Sequence, residues 1–323
     1  MANTKSATMS FQSSILSVIL FFVLNFNTTF SQSVDTIQIT VPDLTLEGTL
    51  LIPDHEEIVP LVLLISGSGP TDRDGNQKAL KNNSLKYLAE GLLDEGIASF
   101  RYDKRSCYPE YIRNIKEEDI SFDDFVNDTK AWIDHFKNDQ RFSEIIIIGH
   151  SQGSLIGILA SQNESRITKM ISLCGPGKSI GSSLIRQLTD NGLKEIEKVT
   201  KLIESLEAGN TSEDYPPYLA NLFRPSLQPF LISWMKYHPG EEVKKLSQDL
   251  LVIHGTTDSQ ISLDESEALA LAKEGSQMVI LENMNHVLKE VEDNFFKNRQ
   301  AYTNPDLAIH PELIKTISSF IKE

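Results

Sequence analysis

Six short runs of almost uninterrupted apolar residues constrain this chain more than any other feature. They are Leu61 to Ile65, Ile97 to Phe100, Ile145 to Ile148, Met170 to Leu173, Leu250 to Ile253 and Met278 to Leu281. A strand with one wet face alternates apolar and polar residues. A strand covered on both faces does not, so runs like these imply a parallel sheet between layers of helices. The segments between them have helical spacing. Leu85, Leu88, Ala89, Leu92 and Leu93 form one stripe, closed by Gly96. Phe122, Phe125, Val126, Trp132, Ile133 and Phe136 form another, with Ser121 placed to cap it, and Leu155 to Ala160 opens a third. Ahead of the runs, Thr36 to Ile52 alternates around Pro42-Asp43, with Ile37, Ile39, Val41, Leu44, Leu46, Leu50 and Ile52 on one side. That pattern predicts an antiparallel hairpin. The fold class predicted is α/β, a mostly parallel, doubly wound sheet with an N-terminal antiparallel hairpin.

One interval breaks the rhythm. From Pro176 to Ser247 about seventy residues pass without a strand candidate, far more than an ordinary crossover needs. Apolar residues recur at Ile185, Leu188, Ile196, Val199, Ile203 and Leu206, and again at Leu222, Phe223, Leu227, Phe230, Leu231 and Trp234. This predicts two to four helices inserted as a cap, so that residues 32–176 and 248–323 form the core and 177–247 the cap. Residues 1–31 stand apart. Lys5 is the only charged residue before Asp35, Ile15 to Leu24 is apolar, and Thr29-Phe30-Ser31-Gln32 follows. A basic start, a short apolar stretch and small residues describe a secretory signal peptide, with cleavage near Ser31 and a periplasmic or secreted product. An uncleaved N-terminal anchor is the other reading. The run is short for a membrane span, and no other segment reaches spanning length.

Export permits disulfides, but only Cys107 and Cys174 are present. Their spacing does not favour a bridge, and the absence of a CxxC pair speaks against a metal site. The 323 residues carry 30 Lys+Arg against 45 Asp+Glu, a net charge of −15, which argues against nucleic acid as a partner. Oligomeric state is not legible.

The chemistry gathers where strands end. Ile145 to Ile148 runs directly into Gly149-His150-Ser151-Gln152-Gly153 and then a helical stretch. This GxSxG lies in the strand–turn–helix context that presents a serine hydroxyl as a nucleophile, with glycines relieving the crowding of a sharp turn. A serine needs a base, held in turn by an acid. His286 follows the last strand and is the candidate base. His254 is expected to fix a local loop, His150 to point away from Ser151, and His55, His135, His238 and His310 to lie at the surface. Asp258 leaves the end of the Leu250 run and is the candidate acid, with Asp264, Glu265 and Glu267 as rivals assigned to the next helix. The order Ser, Asp, His is the one this arrangement requires. Two backbone N–H groups are needed for an oxyanion. Gln152, next to the serine, is one. Ser68, in the glycine-rich loop after the first parallel strand, is the other, with Gly69 as alternative. No cofactor or metal is implied.

These residues resemble the α/β-hydrolase superfamily, and within it a bacterial carboxylesterase-like group. The resemblance rests on Ser-Gly-Ser-Gly-Pro-Thr-Asp-Arg-Asp-Gly-Asn at Ser66 to Asn76, on Phe100-Arg101-Tyr102-Asp103-Lys104-Arg105, and on His254-Gly255-Thr256-Thr257-Asp258. It covers roughly Leu44 to Phe320 and departs from the group's pattern at Ser106-Cys107-Tyr108, where glycine is usual. It implies an α/β-hydrolase fold, the triad Ser151, Asp258 and His286, oxyanion donors at Ser68 and Gln152, and hydrolysis of short acyl esters. Relatives include thioesterases, peptidases and lipases. The reading is therefore a serine carboxylesterase acting on a small-molecule ester. The alternatives are a serine peptidase of short peptides and a non-catalytic binding protein on the same fold. Phe223, Phe230, Trp234 and Met235 of the cap are expected to wall an acyl pocket. Asp72, Arg73 and Asp74 have no chemical role readable from sequence beyond forming a turn.

Overall fold

The computed structural model describes residues 32–54 and 58–323. The proposed leader and His55 lie outside the described residues. Eight strands form one sheet: β1 (Gln32–Val41), β2 (Leu44–Pro53), β3 (Val59–Ile65), β4 (Ala98–Tyr102), β5 (Phe142–His150), β6 (Ile167–Leu173), β7 (Asp249–Gly255) and β8 (Gln277–Leu281). Their spatial order is β1-β2-β4-β3-β5-β6-β7-β8. The β1–β2 and β2–β4 pairs are antiparallel and every other pair is parallel. The hairpin turns at Pro42-Asp43, where Asp43 takes a left-handed φ of 75°.

The apolar runs sort themselves by the period-two pleat of a strand. Leu61, Leu63 and Ile65 of β3, with Ile145 and Ile147 of β5, join one buried cluster. Val62, Leu64, Ile146 and Ile148 join the other. The first cluster is closed by α3 (Phe122–Phe136), α4 (Gln152–Ser161) and α10 (Leu263–Ala272), the second by α1 (Ser84–Asp94) and α12 (Pro311–Lys322). Each isoleucine of β5 is at most 1% exposed, and burying such a side chain contributes on the order of 1.5–3 kcal/mol. α3 begins with a capping box in which Ser121 and Asp124 satisfy each other's backbone N–H groups. Two shorter helices, α2 (Pro109–Asn114) and α11 (Phe295–Ala301), sit in loops.

Between β6 and β7 the chain is helical: α5 (Ile180–Asp190), α6 (Ile196–Glu207), α7 (Ala220–Phe223), α8 (Gln228–Met235) and α9 (Pro239–Val243). The sequence predicts two to four helices here, but short turns at Pro216-Pro217 and Arg224-Pro225 divide the second half into more pieces. Val199, Leu202, Ile203, Leu206, Phe223, Leu231 and Met235 pack into a cluster of their own.

Two expectations need correction. β8 is an edge strand rather than a doubly covered one, and Ile280 is 45% exposed. His310 is buried, not superficial; its ring donates from Nε2 to the Glu282 carbonyl at 3.0 Å and its Nδ1 accepts from the Glu312 N–H at the start of α12. Cys107 and Cys174 are both free. Among the described residues, no helix is long and apolar enough to cross a membrane.

Candidate active site

The sheet order locates the site before any side chain is considered. From β3 the chain crosses to β4 on one side, then returns to β5 on the other. Where strand order reverses in an open α/β sheet, the loops at the carboxyl ends diverge and leave a crevice. The loop after β3 carries Ser66-Gly67-Ser68-Gly69, and the turn after β5 carries Ser151.

Ser151 adopts φ 54° and ψ −121°, a strained backbone for a residue with a Cβ, and α4 starts at the next residue. The two glycines make that turn physically available. A Cβ on Gly149 would lie 2.2 Å from the Gly153 carbonyl oxygen, which is the crowding the motif implies. A Cβ on Gly153 would instead meet the carbonyl oxygen of Ile65, at 2.3 Å. The second glycine thus serves the approach of α4 to the end of β3. The Ser151 N–H donates to the Leu173 carbonyl at 2.9 Å, tying the turn to β6.

Asp258 follows β7 and His286 follows β8. His286 Nδ1 donates to Asp258 Oδ2 at 2.7 Å, with the side chains 5% and 0% exposed. Asp258 Oδ1 accepts from the N–H groups of Gln260 at 2.8 Å and Ile261 at 3.0 Å. Burial opposes ionisation of this carboxyl, but the adjacent imidazole and the two N–H donors hold it below the ordinary carboxylate range. His286 Nε2 has no partner in the described chain. His286 borders a small cavity of about 80 Å³ together with Ser151, Gly67, Ser68, Gln260 and Tyr302. A hydroxyl, an imidazole and a carboxylate in this order can move a proton from the serine to the ring while the carboxylate stabilises the resulting cation.

Two of the rival acids are committed elsewhere, and the third, Glu267, lies exposed on α10. Asp264 pairs with Lys178, and Glu265, 1% exposed, accepts from Ser183 at 2.7 Å and binds Arg186. His254 Nδ1 lies 2.9 Å from Ser266 Oγ and fixes the start of α10. His150 donates from Nε2 to the His286 carbonyl at 2.7 Å, away from the serine. Burial and the nearby His286 push its pKa down to about 3, so the ring is neutral. Neither Ser68 nor Gln152 spends its backbone N–H within the described chain. Both residues border the cavity at Ser151, as does Gly69.

The Asp-Arg-Asp motif, unread in the sequence beyond a turn, forms a lock. Asp72 Oδ1 accepts from the N–H groups of Asp74 and Asn76, which is the turn itself. Arg73 binds Asp103 at 2.5 Å and Glu47 at 2.7 Å, and Asp74 binds Arg101 at 2.9 Å. The loop after β3 is thereby clamped to β2 and the end of β4. The residue that sequence reasoning missed is Lys104. It is 2% exposed, and its Nζ donates to the Gly67 carbonyl at 2.7 Å and to Gln152 Oε1 at 2.8 Å. One ammonium thus ties together the two loops that carry Ser68 and Gln152. Its place between two motif residues was the only sequence signal.

A cavity of about 540 Å³ opens beside Ser151. Phe230 and Trp234 border it, together with Ile120, Phe125, Leu227 and Ile261. Phe223 and Met235, expected there, are buried in the cluster of the inserted helices instead. Among the described residues, Glu117 is the only carboxylate on its wall, and it is paired with Arg224, whose Nε donates at 2.7 Å. Among the described residues, Cys174, Asp258 and His286 place donor atoms within 4.8 Å of one another, the spacing of a metal site. The donor set does not suit one. Burial, followed by the neighbouring Asp258, raises the Cys174 thiol, which keeps it protonated, and both Asp258 oxygens are already occupied.

A family model described as serine aminopeptidase, S33, matches residues 82–291. Esterase EstD of Thermotoga maritima is 22% identical over 251 residues, which is 75% of this chain; the chain spans only 58% of that relative's length. Among solved structures, Est1E from Butyrivibrio proteoclasticus has a TM-score of 0.58 at 18% identity, covering 89% of this chain and 97% of its own. The esterase domain of a Rhodothermus marinus protein has a TM-score of 0.56 at 14% identity, with coverages of 90% and 98%. These structural likenesses are of fold.

Proposed function

The chain belongs to the hydrolase family described as serine aminopeptidase, S33, and from that premise we propose that it hydrolyses carboxylic esters through an acyl-enzyme on Ser151. His286 Nε2 takes the proton of Ser151 Oγ as the oxygen attacks the acyl carbonyl, and Asp258 orients the ring and stabilises the imidazolium. The N–H groups of Ser68 and Gln152 hold the oxyanion. The imidazolium then protonates the departing alkoxide, leaving an acyl ester on Ser151. Water, deprotonated by the neutral His286, attacks that ester and returns the serine hydroxyl with release of the carboxylic acid.

One observation carries the choice of ester over aminoacyl substrate. The cavity beside Ser151 carries Ile120, Phe125, Leu227, Phe230, Trp234 and Ile261 on its wall, and the one carboxylate among its described lining residues is already paired, so it suits an acyl chain and offers no free carboxylate to an ammonium terminus. Glu204, Glu207, Glu213 and Asp214, the acidic stretch that might have served a peptide's amino end, are exposed and border no part of this cavity. The name of the relative EstD supports the same reading. The decisive experiment is labelling with an organophosphonate, followed by kinetics on acetyl, butyryl and decanoyl esters and on aminoacyl amides. We expect one label, lost in Ser151→Ala, and turnover of the shorter esters. Cleavage of aminoacyl amides without any ester cleavage would overturn it in favour of a peptidase; an unlabelled serine would make the chain a binding protein.

Residues 1–31 are read as a leader, on the basic start and the short apolar run alone, which makes the working protein an exported one. Residues 177–247 are read as a cap over the acyl cavity.

A further inference from the structure

A second cavity, of about 670 Å³, lies against the acid loop and α11, and nothing above gives it a role. Gln260 borders this space, the apolar cavity and the small cavity at Ser151 alike. It is held there by its N–H to Asp258 and by its Nε2, which donates to the Tyr302 hydroxyl at 3.0 Å. Three spaces therefore meet at one fixed side chain. The chemistry of an ester tells which part of the substrate each receives. The leaving oxygen must lie within reach of His286, which protonates it. His286 borders the small cavity, which shares Leu80, Gln260 and Tyr302 with the second one and so leads the alcohol towards it.

The second cavity is the more polar of the two. Apart from Leu80 and the aromatic Phe295 and Tyr302, its lining consists of hydroxyls, amides, two acids and one base, and of the acids Asp258 is already bound to His286. Asp293 and Arg299 are exposed, and neither has an ion-pair partner among the described residues. Phe295 is 69% exposed and stands edge-on to Phe296, which is 80% exposed, with ring centroids 5.6 Å apart. A solvent-facing aromatic beside a polar recess is a surface awaiting a partner.

We propose that this cavity binds a carbohydrate, so that the substrate is an apolar acyl group esterified to a sugar hydroxyl. The inference rests on the ester-hydrolase reading above. A sugar ring has an apolar C–H face to lay on Phe295 and a rim of hydroxyls that both donate and accept, which suits an acid and a base side by side in Asp293 and Arg299. An alkyl alcohol would make no use of Asp293 and Arg299, and an anionic head would meet Asp293 together with Arg299.

The test compares two butyrates, that of methyl glucoside and that of ethanol, which share an acyl group. The glucoside ester is expected to have the higher kcat/KM by about tenfold or more, and the ratio to fall about tenfold in Phe295→Ala and in Arg299→Ala while surviving in Phe295→Trp. A ratio near one, or a ratio unmoved by both alanine variants, overturns the proposal. Saturation-transfer NMR with free methyl glucoside does not need turnover and separates this inference from the reading beneath it. Binding that is lost in Phe295→Ala, in a protein that cleaves no ester, retains the sugar site and removes the esterase. Absence of binding removes the sugar site whatever the esterase does.

Discussion

At Lys104 the cost of burial meets the geometry of the site. The ammonium is out of water and among the described residues has no carboxylate partner; its acceptors are the Gly67 carbonyl and the Gln152 amide, and the Phe125 ring lies 5.1 Å from it. Burial pulls its pKa down to about 7 from an ordinary 10.5. Between those two values the unfolded chain holds a proton that the folded chain has released, so this lysine's penalty is complete below pH 7 and fades as pH rises. The stability of the wild type relative to Lys104→Met should therefore improve from pH 7 to pH 9, by at most about 1.4 kcal/mol per pH unit. Urea denaturation at the two pH values measures it. The same variant should lose about tenfold or more in kcat/KM on a butyryl ester, because the loops of Ser68 and Gln152 lose their common tie. Ser151, Asp258 and His286 were legible in the sequence because each follows a buried strand in a fixed chain order. Lys104 was not. Its partners stand 37 and 48 positions away, and a lysine read in isolation belongs to water.

At the scale of elements, the site is a property of strand ends. Ser68, Ser151, Asp258 and His286 follow β3, β5, β7 and β8, so any element that holds those ends together also holds the chemistry. α4 depends on Gly153, whose missing side chain lets the helix approach the Ile65 carbonyl. Gly153→Ala should cost about 1–3 kcal/mol, read as a lower thermal midpoint, and should slow phosphonate labelling of Ser151. A normal labelling rate with an unchanged midpoint would contradict the role given to this glycine. The apolar runs made β3 to β7 readable, because a strand covered on both faces must be apolar throughout. β8 misled for the same reason: its run is apolar, but its place at the edge of the sheet leaves Ile280 in solvent. The inserted helices resisted counting because prolines cut them into short pieces.

For the molecule as a whole, location turns on the leader proposed for residues 1–31. Intact mass of the protein recovered from expressing cells should match a chain beginning at Gln32 or within two residues of it, in the soluble fraction. A full-length mass in the membrane fraction would make residues 1–31 an anchor. What the sequence determined by itself is local in origin: the alternation of buried strands with amphipathic helices, the strained serine turn, and the succession of nucleophile, acid and base, since each depends on residues close together in the chain. Tertiary structure alone decided what those signals enclose. Only folding sets Arg73 against Asp103 and Glu47, buries Lys104 between the loops of Ser68 and Gln152, withdraws Phe223 and Met235 from the cavity beside Ser151, and joins that cavity to a second one at Gln260. Those contacts unite segments far apart in sequence, and their strength comes from the removal of water, which no single segment can bring about.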